Sequence, residues 1–334
     1  MKALVYDDYC DLSGMRLADM PDPEPGPDDV LVEVHAAGIN PIDWKVRAGH
    51  MRARFELDFP DVAGRDLSGV VVGRGSNVTD LKEGDTVFGT CPPNRWGSHA
   101  ELIAVDAGVV GIKPPEISHI EAASISLVGL TALTALEKTA TIEESMQVLI
   151  HAGAGGVGAF AIQYCKSRGA TVYATASAGN AAFVKRLGAD EAFDYRSTDF
   201  RDAVSGLDVV YDTMGGDTHL RSYDVLKPGG LLVCLNAAPI PDEKPRDDIR
   251  VEIPPVQYDR AGVERIAELI QTRAVQPSVG TVFFLSDAID AYRLSETNHA
   301  RGKIVLRMKL SRLPHLYEKE YDLLRSHGRR IPWK

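Results

Sequence analysis

The chain has 334 residues, more than one hydrophobic core usually serves, so two domains are expected. Its 44% hydrophobic and 25% charged residues exclude a disordered or fibrous protein. A net charge of -10 argues against nucleic acid, whose binders carry a basic face, and favours a small-molecule partner.

In chain order, the first 120 residues read as short strands between turns: ALVY, the alternating VLVEV at 30–34, LSGVVVG at 67–73 and DTVFGT at 85–90. The turn-rich PDPEPGPDD and EGD between them mark an irregular β-rich domain. From about residue 123 the texture changes. Strand-like QVLIH (147–151), TVYATAS (171–177), EAFDY (191–195), LDVVYDT (207–213) and GLLVCLN (230–236) alternate with helical patterns. That alternation is the signature of βαβ units around a parallel sheet, hence an α/β fold class. The helical AGVERIAELIQTR at 261–273 closes this half, and VGTVFFL, the helix pattern DAIDAYRLSET and the strand KIVLRM return to the β-rich texture. A locally basic tail from about residue 311 reads either as a partner-facing helix or as an appendage.

The four cysteines, Cys10, Cys91, Cys165 and Cys234, lie far apart with no C-x-x-C pair, so free thiols in a reducing compartment are expected. The acidic start MKALVYDDYC is unlike a signal peptide, and no run reaches the roughly 18 apolar residues of a membrane span. The expected address is the cytoplasm, with no membrane partner.

HAGAGGVGAFAIQYCK, residues 151–166, places a glycine cluster between a strand and a helix. Gly153, Gly155 and Gly158 fit G-x-G-x-x-G, with Gly156 and Val157 inside it: one glycine for the tight turn, one for close approach of a pyrophosphate, one for helix–strand packing. The helix N-terminus adds N–H donors and a partial positive charge. A free ribose 2′-hydroxyl usually meets an acid at the end of the second strand, yet TVYATASAGN offers none before Asp190. A 2′-phosphate prefers hydroxyls and cations, so NADPH is expected, with Ser177, Tyr195 and Arg196 as its candidate ligands.

These motifs, with GINPIDWKVRAG (38–49), AGRDLSGVVVGRGSNVTDLKEGDTVFG (63–89), GSHAEL (97–102), LGADEAFDYR (187–196) and RGKIVL (301–306), stand in the order of a known family. The chain resembles the medium-chain dehydrogenase/reductases, in their zinc-free quinone oxidoreductase and enone (alkenal) reductase branch. The resemblance covers nearly everything from residue 1 to about 308. It implies a GroES-like β-rich catalytic domain (1–122 and 275–312), an inserted Rossmann doubly wound NADP-binding domain (123–274) and a C-terminal extension (313–334).

Zinc relatives carry cysteine where this chain has Asn40 and G-H-E where it has Gly64-Arg65-Asp66, and the four-cysteine lobe is missing, so no metal is expected. The resemblance implies that Asn40 and Asp43 line the catalytic site and that Thr131 lies near the nicotinamide. Thr131 reads alternatively as a helix threonine bonded to its own backbone. Trp44 reads equally as pocket wall or core, and Lys45 as carbonyl donor or solvated lysine. The serine-plus-three lysine of NADPH-binding relatives is here Asn180, a departure that Lys185 only weakly offsets. His99 and His151 read as structural, with a proton donor as the alternative, and Asp212, at the crevice end of the fourth strand, as structural.

The activity implied is NADPH-dependent hydride transfer to a quinone or a small, mostly uncharged α,β-unsaturated carbonyl. Conjugate reduction needs alignment and a hydrogen bond to the nascent enolate more than a Lewis acid. A zinc-free carbonyl or alcohol dehydrogenase, and a low-turnover NADPH-binding structural or regulatory protein, stay open. Selectivity is expected in the loops 44–59, 90–96 and 237–255, where Arg95 reads as an anion partner or an exposed arginine. A homodimer is implied, built on the sheet edge near 230–236 and 249–254.

Overall fold

The computed structural model describes residues 1–54, 56–92, 95, 97–235 and 240–308. The C-terminal extension lies outside them, as do Phe55, residues 93, 94 and 96, and residues 237–239 of the three expected selectivity loops. The described residues divide into two compact units, one from within 1–127, 258–271 and 277–308, the other from within 128–257 and 272–276.

In the first unit the long strand Asp29–Ile39 is the hub. It pairs antiparallel with Asp66–Arg74, Lys303–Arg307 and Leu102–Asp106. Thr86–Thr90 and Val110–Ile112 extend one side of this sheet and Val279–Phe284 the other. Alternation is lost along the hub because both faces are covered. Val30, Val32 and Val34 pack with Leu67, Val71 and Val87, while Ala36 packs with Ile120, Ala123, Val282 and Val305. Each such aliphatic side chain contributes about 1.5–3 kcal/mol on burial.

The helix Arg260–Gln271 buries Val263, Ile266, Leu269 and Ile270, one stripe at helical spacing. Sequence texture assigned it to the second domain; it groups with the first. Val263 lies against Gly111, where an added Cβ would come within 3.1 Å of its Cγ1, and Arg260 donates to Ala107 O at 3.0 Å. A stripe states that a face is buried but not which sheet receives it.

The second unit holds a parallel sheet in the order Glu191–Asp194, Thr171–Ala176, Gln147–Ile150, Leu207–Asp212, Leu226–Cys234, Arg250–Glu252. Numbered along the chain this is 3-2-1-4-5-6, the doubly wound order. Its inner strands run as near-continuous apolar stretches because helices cover both faces. The order reverses between Gln147–Ile150 and Leu207–Asp212, so the glycine loop leaves the sheet at its switch point, where such folds bind ligands.

Candidate active site

The glycine loop has the shape its sequence asks for. The helix Gly156–Ser167 starts from Gly155 with no side-chain cap, leaving its first N–H groups, those of Val157 and Gly158 included, for an anion. A Cβ at Gly158 would fall 2.4 Å from Ala152 O and 2.7 Å from Gly153 Cα, so helix and loop are in backbone contact. A Cβ at Gly155 would meet only Ala152 O, at 3.4 Å. The side of Gly155 is therefore open, as a pyrophosphate requires. Ala152 is itself held at φ 51°, a left-handed conformation that costs a non-glycine about 1 kcal/mol or more.

Behind the loop, buried His151 joins Thr175 Oγ1 through Nδ1 and Ser222 Oγ through Nε2, both at 3.1 Å. Burial pushes its pKa down to about 4, so it is a neutral cross-link. Asp212 accepts from the backbone N–H groups of Met214 and Gly215 at 2.8 and 2.9 Å and meets His219 Nδ1 at 3.1 Å. Cys234 Sγ lies 3.5 Å from the same nitrogen. These hydrogen bonds account for a buried carboxylate–imidazole–thiol trio.

Ser177, Tyr195 and Arg196 come together at adjacent strand ends. Ala176 pairs with Asp194, and Tyr195 N donates to Ala176 O at 3.3 Å. Tyr195 is 52% exposed, with the Arg196 guanidinium carbon 5.3 Å from its ring centroid. Asn180 Nδ2 donates to Ser177 Oγ at 3.2 Å, so the asparagine that replaces the family's lysine braces the serine. Asp190 sits at the opposite end of these strands, bound to Lys166 at 2.6 Å and to Val172 N at 2.8 Å.

In the first unit, Asn40 precedes the short helix Pro41–Arg47, which opens on proline. Its side chain is 2% exposed and fully engaged. Nδ2 donates to Asp66 Oδ2 at 2.9 Å, and Oδ1 accepts from Lys303 Nζ. Lys303 also donates to Ile39 O at 2.8 Å and Asp66 Oδ2 at 3.3 Å, and Asp66 Oδ1 accepts from Leu127 N at 2.9 Å. Asp43 accepts from Asn40 N at 2.7 Å through Oδ2, while its buried Oδ1 has no partner. Burial raises the Asp43 pKa to about 7, against the opposing pull of the Asn40 N–H and of Arg65.

Trp44 is partly buried against the cluster that includes Leu4, Ile39, Leu285 and Tyr292. Lys45 Nζ lies 5.6 Å from the Trp44 ring centroid, and burial lowers its pKa. His99 is buried, with Nδ1 3.2 Å from Tyr292 OH and Nε2 3.4 Å from Gly38 O. Burial pushes it down to about 4, so it is neutral. Thr131 is buried on the helix Ser126–Leu133. Arg95 is taken by Asp29 through two bonds, 3.0 and 2.7 Å, and does not await a substrate anion.

Residues 26–115 match the alcohol dehydrogenase GroES-like domain, and residues 187–306 match the zinc-binding dehydrogenase family. An NADPH-dependent alkenal/one oxidoreductase of Arabidopsis thaliana is 36% identical over 317 residues, 92% of this chain and 79% of its own length. The chain belongs to the medium-chain dehydrogenase/reductases, in their quinone and enone reductase branch. Solved structures of this family superpose closely. The quinone oxidoreductase of Coxiella burnetii gives a TM-score of 0.83 at 33% identity, covering 92% of this chain and 99% of its own. The Escherichia coli quinone oxidoreductase complexed with NADPH gives 0.84 at 26% identity, covering 92% and 100%.

Within this medium-chain reductase, sequence reasoning missed Lys303 and Asp66 as the partners of Asn40. RGKIVL was visible as a motif, but nothing local tied its lysine to a residue 263 positions away.

Proposed function

We propose that this chain is a zinc-independent, NADPH-dependent reductase of quinones and α,β-unsaturated carbonyls. The observation that carries the reading is the second strand's end, where Ser177, Tyr195 and Arg196 stand at adjacent strand ends, the next acid along the chain, Asp190, is bound at the other end, and the neighbouring Asp194 is engaged by Arg196 N and Ser197 Oγ. The name of the Arabidopsis relative and the NADPH held by the Escherichia coli enzyme support it. Bound NADPH supplies a hydride and its two electrons.

The protein's part is to bind and orient. Gly153, Gly155, Gly156, Val157 and Gly158 form the pyrophosphate cradle, and Ser177, Tyr195 and Arg196 the 2′-phosphate site. Thr131 serves the nicotinamide end. In the first unit Asn40 acts as a positioning residue, because both ends of its amide are already bonded. Burial raises the Asp43 pKa to about 7, so its protonated form, populated near neutral pH, can donate a hydrogen bond. Lys45, its ammonium 5.6 Å from the Trp44 ring centroid, is the candidate donor to the substrate carbonyl, and Trp44 backs the loop. Asn40 and Arg65 offer neither thiolate nor imidazole, which supports zinc independence.

Among the described residues no helix is long and apolar enough to cross a membrane. Free thiols at Cys10, Cys91, Cys165 and Cys234 suit the cytoplasm. A homodimer across the edge strand Arg250–Glu252 completes the proposal, and light scattering tests it.

The function is tested by NADPH oxidation with a panel of enones, enals and quinones, beside competitive binding of NADPH and NADH. Turnover with NADPH preferred is expected. Tight binding without turnover on any member would make the chain an NADPH-binding protein instead.

A further inference from the structure

Asp212, His219 and Cys234 are the one group among the described residues that sets three metal-ligand atoms within 4.8 Å of one another. All three belong to the second unit, and none is more than 2% exposed. Asp212 and Cys234 end the neighbouring parallel strands Leu207–Asp212 and Leu226–Cys234 and are partners in register, so their side chains leave the sheet on one face. The chain after Asp212 turns through Gly215 and Gly216, at φ 71° and 57°, a left-handed pair that glycine adopts without strain. The helix Gly216–Ser222 then brings His219 back onto the two strand ends.

Each ligand atom is already aimed. Asp212 spends Oδ1 on the N–H groups of Met214 and Gly215, which leaves Oδ2 for the imidazole. Tyr223 meets the His219 ring edge to face, centroids 5.4 Å apart, and fixes its plane. Nδ1 then lies 3.1 Å from Asp212 Oδ2 and 3.5 Å from Cys234 Sγ. Ligands held about 2.0–2.3 Å from a tetrahedral ion stand about 3.3–3.6 Å apart, so these spacings suit a coordination shell as well as hydrogen bonds. Protons alone serve the thiol poorly. A ring nitrogen carries either a proton or a lone pair. With its proton directed to the Asp212 carboxylate, Nδ1 cannot also accept from Cys234, whose S–H is left with Leu232 O at 3.9 Å. A cation reached by oxygen, nitrogen and sulfur lone pairs together satisfies all three.

We propose that Asp212 Oδ2, His219 Nδ1 and Cys234 Sγ form a binding site for one divalent cation of the zinc class, which clasps the two strand ends to the helix between them in sequence. The mixed donor set suits zinc and disfavours magnesium and calcium, which take oxygen ligands. Binding releases the thiol proton to solvent and leaves the imidazole proton on Nε2, so carboxylate and thiolate balance the two positive charges. A fourth position remains for water. None of the three residues is assigned to hydride transfer, and Asn40 and Arg65 belong to the other unit. The ion is therefore a structural clasp, and the proposed reaction keeps its independence of zinc.

The test uses the full chain, stripped of metal by dialysis against a chelator and titrated with Co²⁺, then Zn²⁺. One Co²⁺ per chain is expected, with a thiolate-to-cobalt charge-transfer band in the near ultraviolet. Zn²⁺ should displace it with a Kd below about 1 μM and raise the melting temperature. Cys234→Ser should abolish the band and weaken zinc binding by at least about 100-fold, whereas Cys10→Ser should keep both. A trio that only hydrogen-bonds would give neither the band nor a zinc-dependent melting temperature, and that result would overturn the proposal; adventitious binding by surface histidines gives no such band and counts the same way. A band that survives in Cys234→Ser, or is lost in Cys10→Ser, would put the ion elsewhere and overturn it too. Should Cys234→Ser fail to fold, the wild-type band and its persistence in Cys10→Ser decide.

Discussion

Two alanine substitutions in the glycine loop separate binding from folding. Gly155 has φ −76° and ψ 171°, which any L residue adopts, and its added Cβ would touch only Ala152 O at 3.4 Å, an ordinary contact. Gly155→Ala should therefore fold like wild type or gain about 0.4–1 kcal/mol from a stiffer unfolded chain. Its methyl would stand in the approach to the pyrophosphate, so NADPH affinity should fall about 10- to 100-fold, or about 1.4–2.7 kcal/mol. Gly158→Ala differs in kind. Its Cβ would lie 2.4 Å from Ala152 O and 2.7 Å from Gly153 Cα, backbone atoms that cannot rotate away. Helix and loop must part, costing about 1–3 kcal/mol of stability as well as the cradle. NADPH fluorescence titration and thermal denaturation of both variants provide the readout. Wild-type NADPH affinity in Gly155→Ala would show that the pyrophosphate does not lie on this loop.

Asn40→Ala leaves Lys303 and Asp66 each short of a buried partner, so it should cost about 1–3 kcal/mol in denaturant unfolding besides lowering kcat/KM, whereas a residue that only faced substrate would leave stability unchanged. Asp43 has a folded pKa of about 7, above its unfolded value, so its contribution to stability is full below about pH 4 and lost as pH rises through 7. Asp43→Asn should thus melt higher than wild type above neutral pH, by up to about 4 kcal/mol in stability, and equal melting curves from pH 5 to 8 would contradict the raised pKa. Arg95→Gln should change stability by at most about 1 kcal/mol and leave the preference between neutral and anionic substrates unchanged, since Asp29 already occupies a guanidinium that is half exposed.

What was legible in the sequence was what local pattern encodes. The apolar runs from Gln147 to Cys234 announced a parallel sheet, and GAGGVG announced the turn that leaves it. The short helix Pro41–Arg47 after Asn40 went unread, part of it falling in the expected loop 44–59, and the strands Leu102–Asp106 and Val110–Ile112 were too short and mixed to stand out. The site of the first unit was the least legible part. Asn40 meets Asp66 across 26 positions and Lys303 across 263, and Arg95 meets Asp29 across 66. No period or cap relates residues so far apart, and the sheet register that joins Ile39 to Ile304 is what brings them together. Arg65 looked like a lost metal ligand; its clamp on Cys91 exists only in the fold.

The central claim, conjugate reduction by NADPH, is tested most directly by where the hydride lands. The purified protein, NADPH carrying deuterium at the transferable position and a simple enone would be incubated, and the product examined by NMR. The account predicts a saturated ketone with deuterium on the β-carbon. Deuterium on a carbinol carbon, with the double bond intact, would show a carbonyl reductase and contradict it.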